Sequence, residues 1–257
     1  MKIAVVTGAS SGLGKAFALK LDKLSFDEIW GVALDKEGLE ETASLMKTPL
    51  KIFAVDLTSD GVDVIKAALE EQKPDVKWLV TASGFGKFGR YDEIPVEHSA
   101  NMIRLNCESL VRMTEYCMPY MKAGAKIAEF SSVAAFQPTP YQNVYAATKA
   151  FVHSYARALN VELKPRKITV CAVCPFWTRS KFFDRAECTD SKVVINYAAM
   201  YEPQEVVDKA FKDIIKGKDI SICGFIARSQ VRMVKIVPTK AVMKTWVKQQ
   251  KFNKRYK

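Results

Sequence analysis

Short apolar segments of strand length alternate with helix-length segments along almost the whole chain. Strand patterns occur at residues 3–6, 29–34, 52–55, 78–80, 126–130, 168–173 and 220–222. Amphipathic helical patterns separate them at residues 14–24, 36–46, 62–72, 99–121, 142–162 and 204–216. Repeated strand–helix–strand units build a parallel sheet with helices on both faces. The sequence therefore predicts a doubly wound α/β fold of about seven strands.

The composition is that of an ordinary globular protein. The 257 residues are 49% hydrophobic and 26% charged, which argues against a disordered or disulfide-scaffold chain. No apolar run reaches the roughly 18 residues of a membrane-spanning helix. The chain runs from Met1 directly into the first strand pattern, without the regions of a signal peptide. We therefore expect a cytoplasmic protein with reduced cysteines.

The net charge of +11 is concentrated at the C-terminus. The last acidic residue is Asp219, and ten basic residues follow it. This predicts a single Rossmann-type domain at residues 1–223 and a basic amphipathic extension at residues 224–257. The extension has two leading interpretations: packing on its own domain or a sister subunit, or peripheral contact with an anionic membrane surface. We expect no nucleic-acid partner, because no recognisable reading motif accompanies the charge.

Two cysteines form a C-x-x-C motif, which is typical of redox or zinc sites. Cys171 and Cys174 lie in a β-branched strand pattern, where residues three apart point to opposite faces of the sheet. They cannot share a metal in that arrangement. We predict no metal site and interpret both as small buried residues.

A glycine-rich turn follows the first strand pattern and precedes a helix. Its residues are Thr7-Gly8-Ala9-Ser10-Ser11-Gly12-Leu13-Gly14. Glycines allow a tight turn and let the backbone approach a pyrophosphate at the N-terminus of the helix. The turn therefore predicts a dinucleotide site.

This turn resembles the cofactor turn of the classical short-chain dehydrogenase/reductase family. Further landmarks of the resemblance are Asp56-Leu57, Gly84, Asn106, Ser132, Tyr145-Ala146-Ala147-Thr148-Lys149, Pro175 and Thr178. They stand in the family's order, each in its expected strand–turn–helix context, and cover residues 1–222. The resemblance implies a Rossmann-type sheet, an NAD(P)-dependent oxidoreductase, and a homodimer or homotetramer.

The resemblance assigns catalytic roles to Asn106, Ser132, Tyr145 and Lys149. It assigns cofactor contacts to Gly8, Ser10, Ser11, Gly12, Leu13, Gly14, Asp35, Asp56, Leu57, Ala82, Gly84, Asn106, Tyr145, Lys149, Pro175 and Thr178. Three positions depart from the family pattern: Thr81-Ala82-Ser83-Gly84 after the fourth strand, Pro175-Phe176 after the sixth, and Thr148 before the lysine. None of these changes removes a catalytic atom.

The residue types fit the chemistry of ketone reduction. Tyr145 and Lys149 are four apart, so a helix places both on one face. A nearby ammonium favours the phenolate, so we expect Lys149 to lower the pKa of Tyr145. Tyr145 would be the general acid in reduction and the general base in oxidation. Ser132 would hydrogen-bond the carbonyl oxygen.

The second strand pattern ends at Asp35, 21 residues beyond Gly14. An acid in that position typically bonds the ribose 2′-hydroxyl and repels a 2′-phosphate. The sequence therefore favours NAD over NADP. The alternative register turns Asp35 away and lets Lys15 or Lys36 meet a phosphate.

Aromatic residues follow the carboxyl ends of several strands, where ligands bind in such sheets. The predicted pocket wall is Phe85, Phe136, Tyr141, Phe176, Trp177 and Phe182. We expect a small-molecule substrate that is a bulky apolar alcohol or ketone. The alternative is a cofactor-sensing or membrane-docked binding protein on the same fold.

Overall fold

The computed structural model describes residues 1–180, 182–186, 193–194, 196–197 and 199–250. Within them, seven strands form one parallel sheet: β1 Lys2–Thr7, β2 Glu28–Ala33, β3 Leu50–Ala54, β4 Asp75–Thr81, β5 Lys126–Phe130, β6 Thr169–Val173 and β7 Ile220–Ser221. The strand order is β3-β2-β1-β4-β5-β6-β7. The order reverses between β1 and β4, which is where such sheets bind ligands. The predicted Rossmann-type fold is confirmed.

Helices cover both faces of the sheet. Their bounds are α1 Gly12–Leu21, α2 Lys36–Ser44, α3 Gly61–Gln72, α4 Val96–Ile103, α5 Ser109–Cys117, α6 Asn143–Glu162, α7 Phe182–Ala186, α8 Pro203–Ile215, α9 Phe225–Val234 and α10 Thr239–Gln249. A π-helical segment, Arg104–Glu108, joins α4 to α5, and a 3₁₀ turn, Val133–Phe136, follows β5.

Two apolar cores lie on opposite faces of the sheet. Helices α3, α5 and α6 pack with alternate strand residues on one face, and α1, α2 and α8 pack on the other. Cys174 belongs to the first core and Cys171 to the second, and both are fully buried. The two thiols therefore point to opposite faces, as the strand pattern predicts.

Helices α9 and α10 pack against the sheet domain. Ala227 and Val231 of α9 contact Val133, and Val242 and Trp246 of α10 are buried. The Trp246 indole donates a hydrogen bond from Nε1 to the Pro140 carbonyl oxygen at 3.0 Å. The apolar face of α10 is therefore turned toward the domain. The last basic residues of the extension, Lys251, Lys254, Arg255 and Lys257, lie outside the described residues.

Among the helices that the structure describes, none is both long enough and apolar enough to cross a membrane.

Candidate active site

A cavity of about 840 Å³ lies beyond the carboxyl ends of the central strands. We call it the chamber. Ser132, Tyr145 and Lys149 line it together with residues of the predicted cofactor site: Leu13, Ala82, Gly84, Pro175 and Thr178. The sheet topology therefore brings the predicted catalytic and cofactor residues to one place.

The glycine turn can follow its tight path because its three glycines have no side chains. Gly8 and Gly12 have positive φ angles of 70° and 52°. A Cβ on Gly14 would lie 2.1 Å from the carbonyl oxygen of Gly8, so no larger residue fits there. Ser11 precedes α1, and its side chain makes no capping hydrogen bond to the described residues. The first amides of α1 therefore remain available to a pyrophosphate.

Asn106 joins the fourth-strand turn to α6. Its Nδ2 donates to the Phe85 carbonyl oxygen at 2.9 Å and to Thr148 Oγ1 at 3.1 Å, and its Oδ1 accepts from the Phe85 amide. Asn106 is fully buried in the π-helical segment. The helix is therefore distorted at Asn106, and Asn106 fixes the turn beside Gly84 through Phe85.

Ser132 and Ser131 have different partners. Ser131 is buried, and its hydroxyl donates to the Lys149 carbonyl oxygen at 2.7 Å. The Ser132 hydroxyl accepts from the Ala134 amide at 3.1 Å and lies within hydrogen-bonding reach of the Tyr145 phenol. This geometry favours Ser132 as the group that contacts a reacting carbonyl oxygen.

Burial dominates the electrostatics of the catalytic pair. It raises the pKa of Tyr145 to about 12, against the hydrogen bond with Ser132, which lowers it. The rings of Phe182 and Phe88 lie 5.5 Å and 6.4 Å from the Tyr145 ring. The pKa of Tyr145 is therefore raised overall, and the lowering expected from Lys149 stays a prediction. A phenol that keeps its proton is suited to act as the acid in reduction.

Lys149 is itself buried beside the catalytic tyrosine. Burial lowers the pKa of Lys149 to about 8, while Cys107, Cys174 and Glu129 raise it. Its Nζ donates to the Phe130 carbonyl oxygen at 2.8 Å and lies 5.8 Å from the centre of the Tyr145 ring. The ammonium form therefore prevails at neutral pH.

Asp35 lies at the edge of the glycine turn. It caps α2, because its Oδ1 accepts from the Gly38 amide at 3.0 Å. A Cβ on Gly38 would lie 2.5 Å from Asp35 Oδ2 and 2.9 Å from Ser10 Cβ. The carboxylate and the glycine turn are therefore close neighbours.

The predicted Asp56-Leu57 contact lies one strand further out. The Asp56 carboxylate accepts from the amide and the hydroxyl of Thr58, both at 2.8 Å. Leu57 is buried. Their contact with a cofactor stays a prediction.

Half of the predicted pocket wall lies on the chamber. Phe176, Trp177 and Phe182 line it. Phe136 instead packs on the His153 ring at 4.6 Å, and the main chain of Phe85 is held by Asn106. Tyr141 packs into the cluster around Phe88 and Trp246. Sequence position alone did not separate these three residues from the wall.

Comparison with known proteins agrees with this geometry. A family model described as short chain dehydrogenase matches residues 2–191. The chain is 30% identical to an uncharacterized oxidoreductase of Staphylococcus epidermidis over 177 residues, 68% of this chain and 76% of that protein. The chain belongs to the short-chain dehydrogenase family. It is therefore an oxidoreductase.

Two further relatives of this short-chain dehydrogenase extend the comparison. A very-long-chain 3-oxoacyl-CoA reductase of Danio rerio is 31% identical over 189 residues, 70% of this chain and 60% of that protein. A solved short-chain dehydrogenase from Sphingobium yanoikuyae, in complex with NADPH, has a TM-score of 0.78 and 25% identity. That likeness covers 93% of this chain and 97% of the other.

Several residues that shape the site of this short-chain dehydrogenase carry no recognisable signal in the sequence. Glu129 is fully buried in β5 beneath Lys149, and its carboxyl contacts the hydroxyls of Thr81 and Thr114. The far side of the chamber is built by the C-terminal helices, through Phe225, Ile226, Met233, Val237, Val242 and Trp246. The amphipathic pattern of α10 predicts an apolar face, but it does not show which part of the protein that face covers.

Proposed function

We propose that the protein transfers a hydride between a nicotinamide dinucleotide and a bulky apolar alcohol or ketone. The observation that carries the proposal is the chamber, in which Tyr145 and Ser132 share one cavity with Phe176, Trp177 and Phe182. An apolar cavity with a few convergent polar groups is the usual form of a small-molecule site. A large aromatic wall favours a large apolar substrate over a sugar or a small acid.

The chain's residues divide the reaction between them. A bound nicotinamide dinucleotide supplies or accepts the hydride at the carbonyl carbon. Tyr145 gives the proton to the carbonyl oxygen in reduction and takes it back in oxidation. Ser132 donates a hydrogen bond to the same oxygen, where negative charge develops. Lys149 holds a positive charge beside Tyr145 and binds the ribose hydroxyls, as the family resemblance implies.

Replacing Tyr145 by Phe tests the acid–base assignment. The variant should keep its fold and NADH affinity, while kcat for an apolar ketone falls by about 100- to 10,000-fold. Tyr155→Phe is a matched control, since Tyr155 lies on the same helix and its hydroxyl has no hydrogen-bond partner among the described residues. Near-normal turnover by Tyr145→Phe would contradict the assignment. The cofactor-sensing alternative predicts no turnover even by the wild type.

We propose NAD as the preferred cofactor. Asp35 lies beside the glycine turn, and the two lysines that could receive a 2′-phosphate have acidic partners on α2. Lys15 lies 2.7 Å from Glu41, and Lys36 lies 3.5 Å from Glu40. Neither lysine is therefore poised for a phosphate.

Fluorescence titration with NADH and NADPH in parallel tests this preference. NADH should bind more tightly to the wild type. Asp35→Asn keeps the α2 cap but removes the charge, so NADPH affinity should rise while NADH affinity changes little. Tighter NADPH binding by the wild type would mean that Asp35 does not face the ribose.

We also propose that the chamber opens toward an anionic lipid surface. Phe225 and Ile226 line the chamber and yet are 73% and 46% exposed. Ile236, between α9 and α10, is 84% exposed. No acidic residue follows Asp219 in the sequence, so the charged side chains that α9 and α10 contribute to this rim are all basic. Exposed apolar side chains among basic ones suit the interface of an anionic bilayer.

Sedimentation with phosphatidylcholine vesicles, with and without phosphatidylserine, tests the lipid proposal. The wild type should bind the anionic vesicles, and the double change Phe225→Ser and Ile236→Ser should weaken that binding. Val64→Ser is the control, because Val64 is a 43% exposed apolar residue on α3. Equal behaviour of all three proteins would refute the proposal.

We propose a homodimer or homotetramer, as the family resemblance implies. Phe151 and Val161 leave apolar surface on α6, where they are 46% and 62% exposed. Light scattering over a range of protein concentrations measures the state directly, and a monomer throughout would contradict the proposal.

A further inference from the structure

Gln142 lies one helical turn before the catalytic tyrosine. It directly precedes the first residue of α6 and stands three residues before Tyr145 in the chain. Its side chain lines the chamber, and the residue is only 2% exposed. A long polar side chain is therefore enclosed beside the reacting groups.

The amide of Gln142 is not satisfied by the protein around it. Its Nε2 is buried and has no hydrogen-bond partner among the described residues. The neighbouring Thr139 hydroxyl is already committed, because it donates to the Gln137 carbonyl oxygen at 3.3 Å. Leaving a buried donor unpaired is unfavourable, so native proteins rarely do so without a functional reason.

The main chain directly before Gln142 is held in place from two sides. Tyr141 has a φ of 65°, a left-handed conformation that non-glycine residues rarely adopt. The Tyr141 carbonyl oxygen accepts from the Gly89 amide at 3.0 Å, and the Pro140 carbonyl oxygen accepts from Trp246 Nε1. Strain of this kind persists where the surrounding structure fixes it, and it concentrates at functional sites.

We infer that Gln142 positions the substrate, its amide donating a hydrogen bond to a second oxygen of the ketone. This inference rests on the proposed function and narrows its substrate class. The ketone would carry an acceptor oxygen, such as an ester carbonyl, a few bonds from the carbonyl that is reduced. Gln142 would bind that oxygen while Ser132 and Tyr145 bind the reacting one. A hydrocarbon ketone would leave the buried amide unpaired and bind less well.

Two aromatic ketones of equal chain length provide the test. Ethyl benzoylacetate carries an ester oxygen two carbons from its ketone, and hexanophenone has methylene groups in those positions. The wild type should reduce the keto ester with the higher kcat/KM. Gln142→Met replaces the amide by an apolar chain of similar length, so the preference for the keto ester should fall about tenfold. The loss should lie mainly in KM.

The controls distinguish a loss of substrate positioning by Gln142 from a general disruption of the chamber. Gln142→Met should keep or raise kcat/KM for hexanophenone, because no buried amide is then left unpaired, and it should leave NADH affinity nearly unchanged. A misfolded chamber would lower both. Gln142→Leu should repeat the result if Gln142→Met folds poorly. Gln204→Met makes the same chemical change at an exposed residue of α8 that is not part of the chamber wall, and it should keep the wild-type preference.

The outcomes distinguish the two proposals. An unchanged keto ester preference in both Gln142 variants, with normal reduction of hexanophenone, would overturn the role of Gln142 alone. Failure of the wild type to reduce either ketone would overturn the proposed function and the inference with it.

Discussion

A carboxyl group without access to solvent lies below the catalytic lysine. Burial raises the pKa of Glu129 to about 7, while the threonine hydroxyls and Lys149 lower it. Thr114 Oγ1 lies 2.8 Å from the Leu110 carbonyl oxygen and 2.7 Å from Glu129 Oε1. A hydroxyl has one hydrogen and cannot donate to both. A proton on Glu129 satisfies the second contact, so the neutral acid fits this position below about pH 7.

Replacing Glu129 by Gln should change how stability depends on pH. The native carboxyl holds its proton up to about pH 7, whereas the unfolded one releases it near its ordinary value of 4.5. The free energy of unfolding of the wild type should therefore fall by up to about 3 kcal/mol as pH rises through that window. Urea denaturation near pH 5 and near pH 8 measures it.

The side-chain amide that Glu129→Gln introduces cannot ionise, so this variant should lack the fall and be the more stable protein near pH 8. The exposed Glu162→Gln serves as control and should follow the wild type. Parallel pH dependence in wild type and Glu129→Gln would show that the buried carboxyl does not titrate in this range.

Sequence reasoning identified the candidate residues that the structure brings together in the chamber, and it missed their neighbours for a physical reason. Tyr145 and Lys149 are recognisable because helical spacing and the family order fix them together. Glu129 interrupts an apolar strand, and its partner Thr114 lies 15 residues away on another element. In the sequence alone, Gln142 cannot be distinguished from other polar residues, because only the structure shows that it is buried. Burial of one polar side chain depends on contacts that no local pattern contains.

At the scale of elements, the alternation of patterns located the sheet and its covering helices. The predicted strand at residues 220–222 is present as Ile220–Ser221, and the predicted helix at 99–121 is interrupted by the π-helical segment around Asn106. Periodicity shows where an apolar face runs. It does not show a local change of helical pitch, which here depends on hydrogen bonds from Asn106 to Phe85 and Thr148.

Trp246 is the aromatic residue that anchors helix α10 to the domain. Trp246 is 9% exposed, stacks on Trp177 at 6.5 Å and donates to Pro140. Trp246→Ala should lower the free energy of unfolding by about 3–5 kcal/mol and raise KM for an apolar ketone. Trp246→Phe keeps much of the packing but loses the hydrogen bond, at a cost of about 1 kcal/mol.

Urea denaturation and steady-state kinetics together check this prediction. Lys244→Ala is the control, since Lys244 is an exposed neighbour on α10 that is not part of the chamber wall. If Trp246→Ala matched the control in both measurements, α10 would not be an energetic part of the chamber.

At the scale of the whole molecule, the site has two halves with different origins. The predicted cofactor half is formed by turns that directly follow strands, at the glycine turn and around Gly84. The order of elements was enough to place these turns together, and their contact with a cofactor stays a prediction. The substrate half joins the turn before α6, α7 and the two C-terminal helices, which are far apart in sequence. Its prediction would have required knowledge of which apolar faces meet.

The contact between Trp246 and Pro140 also implies an order in which parts of the chain fold during synthesis on the ribosome. The two residues are 106 positions apart in the chain. Translation releases the N-terminal part first, so the glycine turn and its neighbouring strands can assemble while α10 is still being made. We expect a nascent chain to acquire its dinucleotide cradle early. The proposed substrate side of the chamber is complete only after the C-terminal helix has emerged and docked.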